Sequence, residues 1–273
     1  MTAEDDSLPD PTSSMLAFFG SELNRIRRKA GKSQTQAAEM AHTTQAMISY
    51  VERAKRVPSE PLARDLDAAF GTDGHFERLH PLVIKFAYPS WFLPYVEMER
   101  EAVSLSIFNN QLIHGLLQTE EYARAVLAGG RPDSLEDLVA ARMTRQDIFE
   151  KETPPHAWFV LDEYALARPY PGPAAMREQL QHLLTVGERP RTVIQIIPRN
   201  APPHPGVNGS FNILSFETGA DVLHVDGITR GHMTADPAEV LVASRSYDLI
   251  RAVALSPRES ADVIRTHLKE LSP

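Results

Sequence analysis

The sequence contains no cysteine among its 273 residues. This absence excludes disulfides, thiol nucleophiles and cysteine-ligated zinc, and it fits a reducing compartment. No apolar run approaches the roughly 18 residues that a membrane span needs, and the acidic first residues include no apolar stretch of signal-peptide length. We therefore expect a cytoplasmic protein that does not contact a membrane.

The overall composition is that of an ordinary globular protein, with 42% hydrophobic and 23% charged residues. A chain of this length can bury a large core without a metal or a disulfide to support it. The length also favours two domains over one.

The net charge of −8 is the sum of unlike segments. Residues 1–20 carry four acidic and no basic side chains, and residues 21–60 carry eight basic and four acidic ones. The remaining 213 residues carry 20 basic and 28 acidic side chains. A short basic segment attached to an acidic body indicates different partners for the two parts.

The basic segment has the pattern of two short helices joined by a turn. Ser33 is a good N-cap, and Gln36 three residues later completes a capping box. The predicted turn is at His42-Thr43, and Thr43 or Thr44 caps a second helix whose inward stripe is Met47, Ile48 and Val51. Such a pair with a polar outward face on its second helix is typical of a helix-turn-helix.

The second helix of this motif enters the major groove of DNA, with its first residues at the base edges. Gln45 carries the amide needed to bind adenine, and Ala46 suits a thymine methyl group. Gln34 starts the first helix, where a side chain can bind a phosphate. The predicted DNA-binding residues are Gln34, Thr44, Gln45, Ala46, Ser49, Tyr50, Arg53, Lys55 and Arg56.

Basic side chains also flank the motif and are candidates for phosphate contacts, which supply affinity and make it salt-dependent. Besides those named, they are Arg25, Arg27, Arg28, Lys29 and Lys32. The alternative is a small structural bundle with a solvated basic face.

Residues 18–72 resemble the phage-repressor (Xre-type) helix-turn-helix family, most strongly in 48–59, which read ISYVERAKRVPS. Ala38 supplies the small residue of the first helix. His42 replaces the usual turn glycine, which histidine tolerates because it is enriched in left-handed conformations. Ala54 replaces the glycine that typically follows the recognition helix. The resemblance implies a DNA-binding transcriptional regulator.

Most of 85–270 resembles the uncharacterised C-terminal domain that follows Xre-type domains in many actinobacterial, antitoxin-like regulators. The resemblance lies in 91–102 (WFLPYVEMEREA), 115–125 (GLLQTEEYARA), 161–166, 176–184 and 209–211. It implies a small protein partner encoded by the adjacent gene. Trp91, Phe92 and Tyr95 are interpreted as packing residues, with the wall of a ligand pocket as the alternative.

The patterns beyond residue 90 predict helices first and strands later. Residues 91–151 are predicted to be helical, with breaks near 109–110 and at 129–132. Short apolar runs predict strands, and a βαβ unit of parallel strands follows from the helix between the first two. The predicted strands are 157–161, 192–197, 211–216 and 222–225, with a hairpin turn at 216–221 and helices at 173–186, 236–252 and 257–271.

The predicted fold class is therefore mixed α+β. An N-terminal all-α helix-turn-helix domain precedes a larger C-terminal domain of helices and a small mixed β-sheet with a βαβ unit. The predicted boundaries are a disordered tail at 1–14, the DNA-binding domain at 15–75, a linker at 76–90 and a regulatory and dimerisation domain at 91–273.

No set of residues in the acidic body converges on catalysis. Glu178 and His182 share a helix face, but such a pair is more often structural than a metal site. Asp162 and Glu163 follow the first predicted strand, where α/β ligand sites tend to lie, yet no phosphate loop or nucleophile elbow accompanies them. We expect no catalytic residue, no metal and no cofactor.

The sequence thus predicts a DNA-binding transcriptional regulator and not an enzyme. Its recognition helix, about 44–53, is expected to read double-stranded DNA, and its C-terminal domain to form a homodimer and sense an unknown small-molecule effector or a protein partner. The alternative is an antitoxin-like module that acts mainly through the small neighbouring-gene protein.

Overall fold

The computed structural model describes residues 8–168, 170–227 and 230–271. They form two compact units. One, here the helical unit, comprises the described residues up to 90 together with 130–144. The other, the sheet unit, comprises 91–129 and the described residues from 145 onward. The structure thus has helices in the first part and helices with a mixed sheet in the second, which confirms the predicted fold class.

The α-helices are numbered in chain order. They are α1 (Met15–Lys29), α2 (Gln34–Met40), α3 (Gln45–Glu52), α4 (Glu60–Phe70), α5 (His75–Ala87), α6 (Leu93–Glu101), α7 (Glu120–Ala128), α8 (Leu135–Thr144), α9 (Glu163–Ala167), α10 (Pro173–Gly187), α11 (Pro237–Val253) and α12 (Pro257–Glu270). Short 3-10 turns lie at Gly115–Leu117, Arg145–Glu150 and Pro205–Asn208.

The first helices begin where the sequence supplies hydroxyl caps. Ser14, Ser33, Thr44 and Ser59 each accept a hydrogen bond from a backbone N–H in the first turn of α1, α2, α3 and α4. These bonds satisfy donors that a helix start leaves without a partner. Because caps are local, the starts of α2 at Ser33 and of α3 at Thr44, one of the two cap candidates, could be predicted.

Apolar side chains at helical spacing form the core of the helical unit. Phe19 and Leu23 of α1, Ile48 of α3, Leu66 of α4 and Phe76 of α5 are fully buried. Burial of each side chain of this size contributes roughly 1.5–3 kcal/mol. Helix α3 is thereby fixed by its apolar face, and its polar face is left outward.

Residues 76–90, where the sequence predicts a linker, form most of α5 instead. Phe76, Val83 and Ala87 are buried at helical spacing, but Pro81 inside the helix is a breaker signal. Asp67 of α4 caps α5, accepting hydrogen bonds from the N–H of Phe76 at 3.0 Å and of Glu77 at 2.8 Å. A capping side chain that comes from another helix leaves no local signal in the sequence.

The predicted disordered tail at 1–14 is only partly described, since residues 1–7 lie outside the described residues. Within 10–14 the structure has a turn. Asp10 Oδ1 accepts hydrogen bonds from the N–H and the hydroxyl of Thr12, both at 2.8 Å, and Ser14 caps α1. This stretch is therefore an ordered lead into the first helix.

Helix α8 belongs to the helical unit although the sequence places it in the middle of the C-terminal half. The hydroxyl of its Thr144 accepts a hydrogen bond of 2.8 Å from the N–H of Val57, which closely follows α3. The hydroxyl of Tyr88 donates to the carbonyl of Ala141 at 3.1 Å. A segment from beyond residue 130 thus supports the segment that leaves the recognition helix.

The sheet unit contains one six-stranded mixed sheet in the order β3-β2-β1-β4-β5-β6 among the described residues. Strands β1, β2 and β3 are parallel, and the other neighbouring pairs are antiparallel. The strands are β1 (Ser104–Asn109), β2 (His156–Asp162), β3 (Thr192–Ile197), β4 (Phe211–Ser215), β5 (Val222–Val225) and β6 (His232–Thr234).

The predicted βαβ unit is confirmed as β2-α10-β3, and the predicted hairpin as β4-β5. The prediction of helix across 91–151 is wrong at β1, which is central to the sheet. Leu105 and Ile107 of β1 pack into the core on one face, and Phe108 into the core on the other. The segment shows a short strand-like alternation over Ser104, Leu105, Ser106 and Ile107, and this signal was overlooked inside a segment interpreted as helical. The three-residue edge strand β6 was missed as well.

Helices cover both faces of the sheet. Leu180 of α10 and Ile264 of α12 join the core on one face, and Tyr247 and Ile250 of α11 join the core on the other. Tyr95 of α6 is buried in the first of these cores. It is a packing residue as interpreted, whereas Trp91 is 41% exposed.

Candidate DNA-binding surface

The turn between α2 and α3 depends on a left-handed residue. His42 has a φ of +49°, and the N–H of Thr43 donates to the carbonyl of Ala38 at 2.9 Å, which closes the turn. Histidine adopts this region more readily than most non-glycine residues. The prediction that histidine can replace the turn glycine in a left-handed conformation is confirmed at His42.

The recognition helix ends in the same way. Ala54 has a φ of +55°, and the N–H of Lys55 donates to the carbonyl of Tyr50 at 2.8 Å. This conformation costs an alanine roughly 1–2 kcal/mol. The chain is thereby turned so that Lys55 and Arg56 follow α3 immediately.

A buried ion pair fixes the recognition helix against α1. The guanidinium of Arg27 donates two hydrogen bonds to the carboxylate of Glu52, that from Nη2 being 2.9 Å long. Arg27 is 9% and Glu52 1% exposed. Arg27 is therefore unable to act as a phosphate contact, and the prediction of that role is wrong. Arg25, another candidate, is paired with Glu22 at 2.8 Å.

Glu52 is held ionised by its partners. Burial raises the pKa of its carboxyl, but hydrogen bonds from Arg27, Gln34 and Asn24 outweigh burial, so that the pKa lies below the usual glutamate value. Asn24 Nδ2 donates to Oε2 at 2.9 Å and Gln34 Nε2 donates to the same atom at 2.8 Å. The carboxylate thus organises three side chains from two other segments.

This hydrogen-bonded chain continues outward to the first residue of α3. Gln34 Oε1 accepts a hydrogen bond of 2.7 Å from Nε2 of Gln45. Gln45 is exposed, and one N–H of its amide and its Oε1 remain for a base. Adenine requires that donor and acceptor pair. Hence the buried carboxylate of Glu52 orients, through Gln34, the amide best suited to read a base.

The other predicted residues lie along the same face. Ala46 and Tyr50 are exposed, and Ser49 is half-buried. Thr44 also has a structural role, since its hydroxyl accepts the hydrogen bond from the N–H of Met47 that caps α3. Which of them touch DNA stays a prediction.

Arginine side chains surround the ring of Tyr50. The guanidinium of Arg56 lies 4.9 Å from the ring centroid and that of Arg53 lies 5.8 Å from it. Arg53 Nε also donates to the carbonyl of Ser49 at 3.3 Å. Cation–π contacts of this kind pre-order charged side chains, and they gather positive charge at the end of α3.

Sequence reasoning missed Asn24, Arg27 and Glu52 as the residues that support this surface. The partners Arg27 and Glu52 are 25 residues apart and belong to helices whose packing the local pattern does not specify. The only available signal was an arginine and a glutamate on the apolar sides of their predicted helices.

In the sheet unit two of the residues considered for catalysis, Asp162 and Glu163, make structural contacts. Asp162 caps α9 by accepting from the N–H of Tyr164 at 2.9 Å, and Glu163 lies 3.1 Å from His267 Nε2 and 3.2 Å from Arg199 Nε. These contacts neutralise Glu163 at the end of the parallel strands.

Glu178 and His182 do not form a hydrogen bond in the described structure. Glu178 is exposed, while Nε2 of His182 is buried without a hydrogen-bond partner among the described residues. Burial lowers the pKa of His182, and Arg189 lowers it further. Within the described ranges no group of three or more histidine or acidic side chains is arranged to hold a metal ion.

An open cleft of about 510 Å³ lies between α11, the sheet and the 3-10 turn at Pro205–Asn208. Its lining is mostly apolar and includes Phe211, Leu223, Val225 and Val242. A cleft of this size and character suits a small organic molecule.

Residues 19–79, within the helical unit, match the profile described as a helix-turn-helix domain. Residues 92–266 match the profile described as a domain of unknown function (DUF5753), which spans more than half of the chain. The chain therefore belongs to the DUF5753 family. No curated protein and no solved structure shows significant similarity to it. Among the described residues, no helix is both long and apolar enough to cross a membrane.

Proposed function

We propose that this protein is a sequence-specific transcriptional regulator of the Xre type. The observation that carries the proposal is the chain of hydrogen bonds from Glu52 through Gln34 to Gln45, which presents an oriented amide at the start of an exposed helix. A side chain that is already ordered loses less entropy on binding. This arrangement suits base recognition better than it suits a solvated structural surface.

In this proposal α3 lies in the major groove and reads one half-site. Gln45 binds an adenine through N6 and N7, and Ala46 contacts a neighbouring thymine methyl group. Gln34 binds a backbone phosphate, and Ser49 and Tyr50 contact DNA further along the groove. Arg53, Lys55 and Arg56 bind phosphates and make the affinity salt-dependent.

The sheet unit is proposed to form the homodimer and to receive a signal. The apolar cleft bounded by α11 supports a small-molecule effector. An antitoxin-like role, in which the acidic body binds a small protein encoded beside this gene in an actinobacterial genome, is the second candidate. The excess of acidic side chains beyond residue 60 favours a partner with a basic surface.

We propose further that the protein is not an enzyme and uses no cofactor. The contacts that hold Asp162 and Glu163 and the separation of Glu178 from His182 support this. Replacing Asp162, Glu178 and His182 together with alanine is expected to leave operator binding and effector response intact in a stable variant. Loss of either response in such a variant would contradict the proposal.

The direct test is selection of binding sites from a random duplex pool by the full chain, followed by fluorescence anisotropy on the selected operator. Gln45→Ala should weaken specific binding by about 1–3 kcal/mol and remove the preference at one base pair. Gln181→Ala, which removes an exposed glutamine in the sheet unit, is the matched control and should change nothing. Failure to select any sequence would contradict the proposal.

A further inference from the structure

Helix α11 has two apolar sides, of which one is covered. Its inner side chains, Val240, Ala243, Tyr247 and Ile250, are buried against the sheet. On the outer side Leu241 is 49% exposed, Val242 64% and Leu249 58%, and the small Ala238 and Ala252 are exposed at the two ends of this face. Contiguous exposed apolar surface on a protein commonly marks an interface.

Two charged residues lie within this outer face, Arg245 at its centre and Asp248 at one edge. Arg245 has no ion-pair partner among the described residues, and Asp248 has a distant one, Arg251 Nη1 at 3.8 Å. The other charged side chains of α11 near this face already have partners within the same chain. Glu239 lies 3.1 Å from His232 Nε2, and Arg251 stacks 3.9 Å above the ring of Trp158.

We propose that the outer face of α11 binds the same face of a second copy of this chain, with the two helices antiparallel about a two-fold axis at Arg245. In that register residues equally far before and after 245 face each other. Leu241 then meets Leu249 of the second copy, Ala238 meets Ala252, and both contacts occur twice. A two-fold interface requires such a self-complementary pattern.

The charges fit the same register. Helical side chains point toward the N-terminus of their own helix, so that Arg245 extends to the level of Val242. In the antiparallel pair that level is occupied by Asp248 of the second copy. The dimer thus contains two reciprocal Arg245–Asp248 ion pairs. The positive charge of Arg245 at the centre of each apolar face is neutralised by Asp248 of the other copy.

This inference deepens the proposed function, because it locates the dimerisation expected of a regulator that binds two half-sites. The occupant is a second copy and not an unrelated protein, since one face supplies two leucines in symmetric positions and both signs of charge one helical turn apart. The cleft described above shares Val242 with this face, so an effector bound there would lie beside the dimer helix.

The test is sedimentation equilibrium of the full chain without DNA. The wild type should dimerise, and Leu241→Glu combined with Leu249→Glu should make it monomeric. Arg245→Asp and Asp248→Arg should each raise the dimer dissociation constant at least about tenfold, whereas the two together should restore most of the wild-type value. Arg258→Glu, which changes an exposed side chain of α12, is the control and should dimerise normally.

A monomeric wild type, or a dimer that neither leucine nor charge variants weaken, would overturn the interface. So would a charge-reversed double variant that is weaker than both singles. Because no DNA is present, these outcomes are separate from operator binding. A monomer that still selects an operator would contradict only the interface, and a dimer that selects none would contradict only the proposed function.

Discussion

Among the residues that the structure describes, each unit contains a buried arginine–glutamate pair, and the hydrogen bonds that extend from the two pairs differ. In the helical unit Arg27 donates to Glu52 through Nη2 at 2.9 Å, and in the sheet unit Arg145 donates to Glu99 at 2.7 and 2.8 Å. Both carboxylates are 1% exposed. Burial of a charge is costly unless it is paired and hydrogen-bonded, and both pairs meet that condition.

The hydrogen bonds beyond each pair differ. From Glu52 a chain of hydrogen bonds runs to the surface, through Gln34 to the exposed Gln45. The hydrogen bonds from Glu99 run into the core. The hydroxyl of Tyr95 donates to Glu99 at 2.9 Å, and Asn212 of β4 donates to that hydroxyl at 2.9 Å. The same buried chemistry therefore orients a surface for recognition in one unit and joins a helix to the sheet in the other.

The largest expected effect comes from breaking the inward pair. Arg145→Ala leaves the buried carboxyl of Glu99 without its ion-pair partner, and should destabilise the sheet unit by about 3–5 kcal/mol. Hydrogen–deuterium exchange of the full chain should show faster exchange in peptides from β1 and α6 than in the wild type. Arg189→Ala, which removes an exposed pair with Glu150, is the control and should cost at most about 1 kcal/mol. Equal effects of the two variants would contradict this account.

The outward pair should make the helical unit sensitive to acid. Because the pKa of Glu52 is lowered in the folded state, its ionisation stabilises that state above the unfolded value of about 4.3. The contribution is lost as the pH falls from about 5 through the lowered pKa. The stability gap between wild type and Glu52→Gln, measured by urea unfolding from pH 7 downward, should therefore shrink below about pH 5. A constant gap would argue that Glu52 does not titrate as described.

A smaller effect is expected at the end of the recognition helix. Ala54→Gly removes the strain of a left-handed alanine and should stabilise the helical unit by about 0.5–1 kcal/mol. Ala30, which ends α1 with a φ of −77°, is the matched control. Ala30→Gly should destabilise by a similar amount, since no strain is relieved. Both changes are measurable by urea unfolding, and loss of stability in both would refute the left-handed assignment.

The helices that could be predicted from the sequence are those with local signals. Ser33 with Gln36 and Thr44 mark their own helix starts, and His42 could be predicted as left-handed because it stands where a turn residue is required. Strand β1 was missed because its alternation, from Ser104 to Ile107, is only four residues long and lies inside a segment interpreted as helical. Helix α5 could not be predicted, because its cap comes from Asp67 of another helix. At the candidate site Gln34 and Gln45 were identified, but the Arg27–Glu52 pair that orients them depends on packing between helices.

The central claim is that Gln34 and Gln45 act as one recognition unit. The measurement is a double-mutant cycle of Gln34→Ala and Gln45→Ala in the full chain, with affinity for the selected operator determined by fluorescence anisotropy at one fixed salt concentration. The two losses should not be additive, with a coupling energy of at least about 0.5 kcal/mol. Additive losses, or an operator affinity that neither substitution changes, would contradict it.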